Sequence, residues 1–202
     1  KYACTTHMSD PANILDAGII SVNKDIFDMA NSNRDYSGMG TTFVAASLVE
    51  NHVYIANVGD SRLYLIGRDI RQITRDHSLV EDMVRMGVLE REEARTHYKK
   101  NVITKAIGVA DDKTSTPDIF EIEVENGDKL LLCSDGLTNM VEDYDIKKIV
   151  KDNDSIEDAV RELIKQANEN GGKDNISAIL IEPDVLSLIH ISEPTRPSLI
   201  SY

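Results

Sequence analysis

Three aspartates stand where apolar runs begin or end, each beside or close to glycine. Asp60 lies in Val58-Gly59-Asp60-Ser61-Arg62, at the exit of the apolar stretch 53–58. Asp135 follows Leu130-Leu131-Leu132-Cys133-Ser134 and precedes Gly136. Asp174 sits in Gly171-Gly172-Lys173-Asp174-Asn175, which runs into the apolar stretch 176–181. A carboxylate at the mouth of a buried strand is poorly solvated and needs a cation or hydrogen bonds. A glycine next to it lets backbone approach a ligand closely. If the three strand ends meet at one edge of a sheet sandwich, their oxygens suit Mg²⁺ or Mn²⁺. Taken singly, each also suits an ordinary turn, for which Asp and Gly are standard residues, and spacing alone does not decide. The histidines, His7, His52, His77, His97 and His190, are scattered, and Cys4 and Cys133 form no CxxC or Cys/His cluster. Zinc and a Cys/His or Ser/His/Asp nucleophile therefore find no support.

The elements that must position these aspartates follow from periodicity. Residues 12–30 carry Ile14, Leu15, Ile19, Val22, Ile26 and Met29, mostly three or four apart, which predicts an amphipathic helix. Pro11 suits its first turn. Residues 41–74 read as a β-meander with strands at 41–49, 53–58, 63–66 and 70–73, the last two flanking the short connection Gly67-Arg68-Asp69. Ser78-Leu79-Val80-Glu81 is a capping-box pattern with Gly87 as the matching stop, and a second helical piece is expected at about 90–96. This charged segment, from about Ser78 to about Lys100, lies between sheet segments and is the candidate for a mobile flap. Residues 102–107 are ambiguous. Strands are expected at 119–124 and 129–133, helices at 142–151 and 156–169, and a last buried strand at 175–181. Grouped strands and grouped helices point to an α+β layered sandwich rather than a doubly wound parallel sheet.

At 202 residues the chain is the size of one domain. Its formal charge of −13 repels phosphate backbones, so no nucleic acid and no anionic membrane is expected as a partner. Such acidity also fits carboxylates gathered around hard cations. No apolar stretch approaches the roughly 20 residues that cross a bilayer, and Lys1-Tyr2-Ala3-Cys4 lacks the apolar region of a signal peptide. With a cysteine inside an apolar strand, these features predict a reduced, cytoplasmic, monomeric protein.

Five motifs occur in order: Ser37-Gly38-Met39-Gly40-Thr41-Thr42, Ala56-Asn57-Val58-Gly59-Asp60-Ser61-Arg62, Thr74-Arg75-Asp76-His77-Ser78, Leu132-Cys133-Ser134-Asp135-Gly136-Leu137-Thr138, and Gly172-Lys173-Asp174-Asn175-Ile176-Ser177. Each is weak alone. Together, over about 3–183, they resemble the bacterial branch of the protein phosphatase 2C family. The resemblance implies a four-layer α-β-β-α sandwich with a binuclear Mg²⁺ or Mn²⁺ site, and a third ion beside it. It implies hydrolysis of phosphoserine and phosphothreonine on proteins by a metal-activated water. Phosphorylated proteins and a cognate Ser/Thr kinase are the partners it suggests. By the same match Asp135 and Asp174 bind the binuclear centre, Asp60 joins Asp135 at the third ion, and the flap approaches substrate. Gly59, Ser61, Arg62, Gly136 and Asn175 complete the motifs structurally. His77 is read as structural, and Arg62 as pairing with a carboxylate inside the domain rather than touching substrate.

Two features depart from that pattern. The family's Asp-Gly-x-Gly-Gly segment, with the aspartate that bridges both metals, and an earlier phosphate-binding Arg do not occur in the chain. Residues 1–185 are thus expected to be a partial phosphatase domain, incomplete at its N-terminus and inactive on its own. Residues 186–202 match no period and resemble the conceptual translation of a sequencing adapter, so they are expected to contribute little to the fold. Two alternatives share the fold: a non-catalytic binding or regulatory module, and a phosphatase acting on sigma-factor regulators.

Overall fold

In the computed structural model, which describes residues 10–110 and 116–184, the strands divide between two antiparallel sheets. Helix α1, Pro11–Ser32, comes first and is capped by Asp10, whose carboxylate accepts from the Ala12 amide. Strands β1 (Phe43–Val49) and β2 (His52–Val58) form a hairpin, and β5 (Asp118–Glu123) pairs with the other side of β2. Strands β3 (Arg62–Ile66) and β4 (Ile70–Gln72) form a second hairpin, which β6 (Lys129–Cys133) and β7 (Ala178–Ile181) extend to the order β4-β3-β6-β7. The chain crosses from one sheet to the other at residues 59–61, and Asp60 is the middle residue of that crossing.

Successive side chains of a strand point to opposite faces, and β2 is apolar on both. Val53 and Ile55 meet Leu63, Leu130 and Leu132 between the sheets, while Ala56 and Val58 pack with Ile19 of α1. The outer face of the second sheet is covered by α5 (Asp143–Asp152) and α6 (Ile156–Glu169). Helix α6 presents Ala159, Leu163 and Ala167 four residues apart to Tyr64, Ile66 and Leu131. The layers are therefore helix, sheet, sheet, helices, with three apolar cores between them. Each fully buried Leu or Ile contributes about 1.5–3 kcal/mol, so the two sheets are held as one body and the crossing at Asp60 has a fixed frame.

The segment expected as a flap, Ser78 to Lys100, contains α2 (Leu79–Arg85) and α3 (Arg91–Thr96). Ser78 caps α2 by accepting the Glu81 amide, and Gly87 ends it with φ +69°. Residues 102–107 form no strand, only single bridges from Ile103 to Ser78 and from Ile107 to Thr41.

Two expectations need correction. The last strand begins at Ala178, not 175, and Ile179 is 61% exposed. As the end strand of its sheet, β7 is not buried on both sides, and residues 175–177 are held by Ser134 instead of by a ladder. The Ser134 amide donates to the Ser177 carbonyl, its hydroxyl to the Asn175 carbonyl, and the Ser177 amide to the Ser134 hydroxyl. The turn after β6 is also more than a turn: Asp135–Thr138 form a short helix, α4. The adapter-like segment 186–202 lies outside the described residues. Among the described residues no helix is long and apolar enough to cross a membrane.

Candidate active site

Asp60 follows Gly59, whose φ of +107° is left-handed backbone that only glycine adopts readily. A Cβ at Gly59 would also collide with the Thr42 side chain, whose hydroxyl lies 3.0 Å from that of Ser61. Asp135 opens α4, where Asn139 of the next turn donates from Nδ2 to Asp135 Oδ2 at 3.1 Å. Asp174 is exposed, before β7, and takes the Asn175 amide on Oδ1 at 2.7 Å.

Gly136 carries the contact that brings these last two segments together: a Cβ there would run into the Asn175 carbonyl and lie in ordinary contact with the Asp174 backbone. Backbone cannot yield as a side-chain tip does. Gly136→Ala should therefore cost about 1–3 kcal/mol in a denaturant titration, as overpacking does. An unchanged midpoint would show that the two segments are not held in contact.

The three carboxylates interact in a chain. Burial, then the neighbouring Asp135, pushes the Asp60 carboxyl up to about 6. Burial, then Asp174, raises Asp135. None of the three forms a salt bridge among the described residues, and burial and mutual repulsion outweigh the Arg62 charge and the backbone hydrogen bonds that favour the charged forms of Asp60 and Asp135. Asp60 and Asp135 line one cavity of about 370 Å³, together with Arg91, Arg95 and Lys100 of the flap and Lys173 from the loop before β7. Asp174 does not line its wall. Among the described residues no three His, Cys, Asp or Glu side chains stand close enough to form a metal cage. The donor set still fits a hard cation of the Mg²⁺ kind, which is held by one or two carboxylates and keeps its waters.

The raised Asp60 has a consequence in the metal-free protein. A carboxyl whose folded pKa exceeds its unfolded one contributes stability below the unfolded pKa, lost as pH rises through the folded one. That window runs here from about 4 to about 6. Asp60→Asn should match wild type near pH 4 and melt higher at pH 7, in thermal scans with chelator. A lower melting point at pH 7 would show that the carboxylate is compensated.

Arg62 is occupied. Its Nε and Nη2 donate to Asp76 at 2.9 and 2.6 Å, and its Nη1 donates to the Tyr64 hydroxyl at 2.8 Å. Tyr64 in turn donates to Asp143 at 3.0 Å, and Gln72 donates to Asp76 at 2.8 Å. The pairing expected for Arg62 is thus present, with Asp76 as the carboxylate. The motif Thr74–Ser78 already contained Asp76, but nothing in the sequence singled out Tyr64 or Asp143. The flap is tied down by Arg95, which donates to the Thr138 carbonyl at 3.2 Å and pairs with Glu142 at 2.7 Å. Cys133 is buried in the core, and burial pushes its thiol up to about 12, away from the thiolate that a nucleophile needs.

The family model described as Protein phosphatase 2C matches residues 6–176. The chain is 44% identical over 169 residues to the serine/threonine phosphatase stp of Listeria innocua, covering 83% of this chain and 66% of that protein. It spans just under two thirds of that relative's length. Among solved structures, Stp1 of Staphylococcus aureus, a serine/threonine phosphatase, aligns with a TM-score of 0.84 at 41% identity, over 90% of this chain and 72% of that one. The catalytic domain of the serine/threonine protein phosphatase PstP in complex with two manganese ions aligns with a TM-score of 0.77 at 30% identity, over 87% and 73% of the two chains.

Proposed function

This chain belongs to the protein phosphatase 2C family, and on that premise we propose that the whole protein removes phosphate from phosphoserine and phosphothreonine on proteins, with Mg²⁺ or Mn²⁺ held at the edge formed by Asp60, Asp135 and Asp174. The observation that carries the reading is the gathering of carboxylates at one edge, where Asp60 and Asp135 line one cavity and repulsion from Asp135 and Asp174 adds to burial. Divalent ions at such a place supply Lewis-acid chemistry, lowering the pKa of water and neutralising phosphoryl oxygens.

The chain's own residues do the rest. Asn139 orients Asp135 Oδ2, and the Asn175 amide orients Asp174 Oδ1. Asp135 interacts electrostatically with both other carboxylates, so it would help to hold an ion bound on either side of it. Arg95 holds the flap over the cavity through Thr138, within the helix that Asp135 opens. Lys100 and Lys173 line the cavity on the flap and loop sides, where cationic side chains favour an approaching phosphoprotein. Arg62, spent on Asp76 and Tyr64, holds the frame and leaves the phosphate to other groups. A cognate Ser/Thr kinase as the source of the phosphoprotein, a monomeric state and a cytoplasmic location belong to the same proposal.

The test is phosphate release from a phosphothreonine peptide by the whole protein, with and without Mn²⁺. Release that requires the metal supports the reading. Metal-replete protein that binds the peptide but releases nothing supports the binding-module alternative.

A further inference from the structure

We propose that His77 is a positioning residue for the candidate metal edge: its ring holds the Gly59–Asp60 crossing so that the Asp60 carboxylate faces Asp135. The proposal rests on the phosphatase reading for its activity readout only.

Two bonds join His77 to Gly59. The Gly59 amide donates to His77 Nδ1 at 2.9 Å, and the His77 amide donates to the Gly59 carbonyl at 2.9 Å. The first requires Nδ1 to be the acceptor, so Nε2 carries the proton. Nε2–H points towards Asp118, with Oδ2 3.2 Å away, an approach of the neutral ring's N–H dipole to a carboxylate whose angle falls short of a hydrogen bond. Lys105 Nζ holds the same Asp118 carboxylate at 3.2 Å. A carboxylate on one ring nitrogen that fixes what the other nitrogen does is the usual way a histidine is oriented. Asp118 is on β5 and Gly59 follows β2, so the ring spans from one strand of the first sheet to the crossing that leaves it.

The crossing has little freedom left. Asn57, fully buried at the end of β2, donates to the Arg75 carbonyl at 2.8 Å and reaches the Gly59 carbonyl at 3.4 Å. On the other side Thr42 packs on the Gly59 Cα and meets Ser61. Burial and the Lys105 charge outweigh Asp118 and keep the ring's pKa below its ordinary value, which favours the neutral form the Gly59 bond needs. His77 also immediately precedes the Ser78 cap of the flap helix, and its carbonyl accepts the Thr104 amide at 2.8 Å. The same residue therefore fixes the base of the flap and the turn that carries Asp60.

Side-chain geometry supplies the test. In His77→Asn the amide oxygen takes the place of Nδ1 and can accept from Gly59. In His77→Gln the amide reaches the Nε2 position and leaves Gly59 unserved, and His77→Leu offers neither. Measured on the whole protein, half-saturating Mn²⁺ for phosphothreonine hydrolysis should rise about tenfold or more in the Gln and Leu variants, the scale for residues that orient a ligand. It should stay within about twofold in His77→Asn, in line with the retained bond. Exchange of the Gly59 amide should be slow in wild type and His77→Asn and fast in the other two. Should the Gln and Leu variants not fold, Asp118→Asn, which keeps the Gly59 bond but loosens the ring, should raise half-saturating Mn²⁺ in the same direction by less. His77→Asn as impaired as His77→Leu, or unchanged Mn²⁺ dependence with Gly59 exchanging freely, overturns the proposal. Amide exchange and calorimetric Mn²⁺ binding decide it even if wild type releases no phosphate, so the two readings fail separately.

Discussion

Asp135→Asn should abolish most Mn²⁺-dependent phosphate release by the whole protein while leaving the metal-free fold at least as stable as wild type. The two halves of this result have one cause. Burial raises the Asp135 carboxyl and repulsion from Asp174 adds to it, while Asp135 in turn helps to raise Asp60. An asparagine removes the repulsion. It keeps an oxygen that can accept from Asn139, and the Asn139 amide still bonds the backbone carbonyl of residue 135. Without metal, stability should therefore hold or rise at neutral pH. With metal the balance inverts, because an amide oxygen offsets far less of an ion's dehydration than a carboxylate does. The loss in kcat/KM should be at least about a hundredfold, the scale for removing one electrostatic contact made in the transition state. Binding to the native state alone raises the melting point, so the rise that Mn²⁺ gives wild type should shrink or vanish in the variant. Near-normal kcat/KM in Asp135→Asn would overturn the site assignment. A large loss with unaltered Mn²⁺ stabilisation would move Asp135 from ion binding to substrate handling.

Such opposed effects on stability and function mark the places where local chemistry yields least readily to pattern reading. Helix α6 is legible because Ser155, a good cap, precedes residues whose apolar positions recur every four, and Gly171-Gly172 follow. The apolar run 130–133 is legible as a strand buried on both faces, and β6 lies between β3 and β7. The start of β7 is not legible, because Asn175 and Ser177 answer to a hydroxyl 41 and 43 positions away, on Ser134. The aspartates behave similarly. Each can be recognised at a strand end, and the five motifs together indicate the family. Their order of interaction, with Asp135 central and Asp174 off the cavity wall, depends on where the two sheets and α4 come to rest. Tyr64 reads as an apolar strand residue. Its bond to Asp143 joins positions 79 apart and leaves no local trace. Burial raises the pKa of that phenol, which keeps it a donor.

The Arg62 network makes the other large prediction. Arg62 and Asp76 are about 20% and 13% exposed, and the guanidinium makes three short bonds to the carboxylate. Burial alone would weaken the guanidinium's hold on its proton, but Tyr64 and Asp76 outweigh it and keep Arg62 charged. Removing one partner of a buried pair leaves the other charge uncompensated, at about 3–5 kcal/mol. Arg62→Met should show that loss in a denaturant titration, because Asp76 keeps only Gln72 and Tyr64 loses its donor. Replacing both partners removes the stranded charge, so Arg62→Met/Asp76→Leu should recover a substantial part of it, in the way buried pairs tolerate apolar substitution. Arg62→Lys should fall between, since an ammonium cannot reproduce a fork that meets a carboxylate and a phenol at once. If instead Arg62 served substrate, Arg62→Met would raise KM with little change in stability, and the double variant would be no more stable than the single. The network links β3 and β4 to α5 through Asp143, and Arg62 is the second residue after Asp60. A loss there should therefore also loosen the crossing, lowering Mn²⁺ affinity in proportion to stability. That proportionality separates it from Asp135→Asn, in which metal affinity falls while the metal-free fold stands.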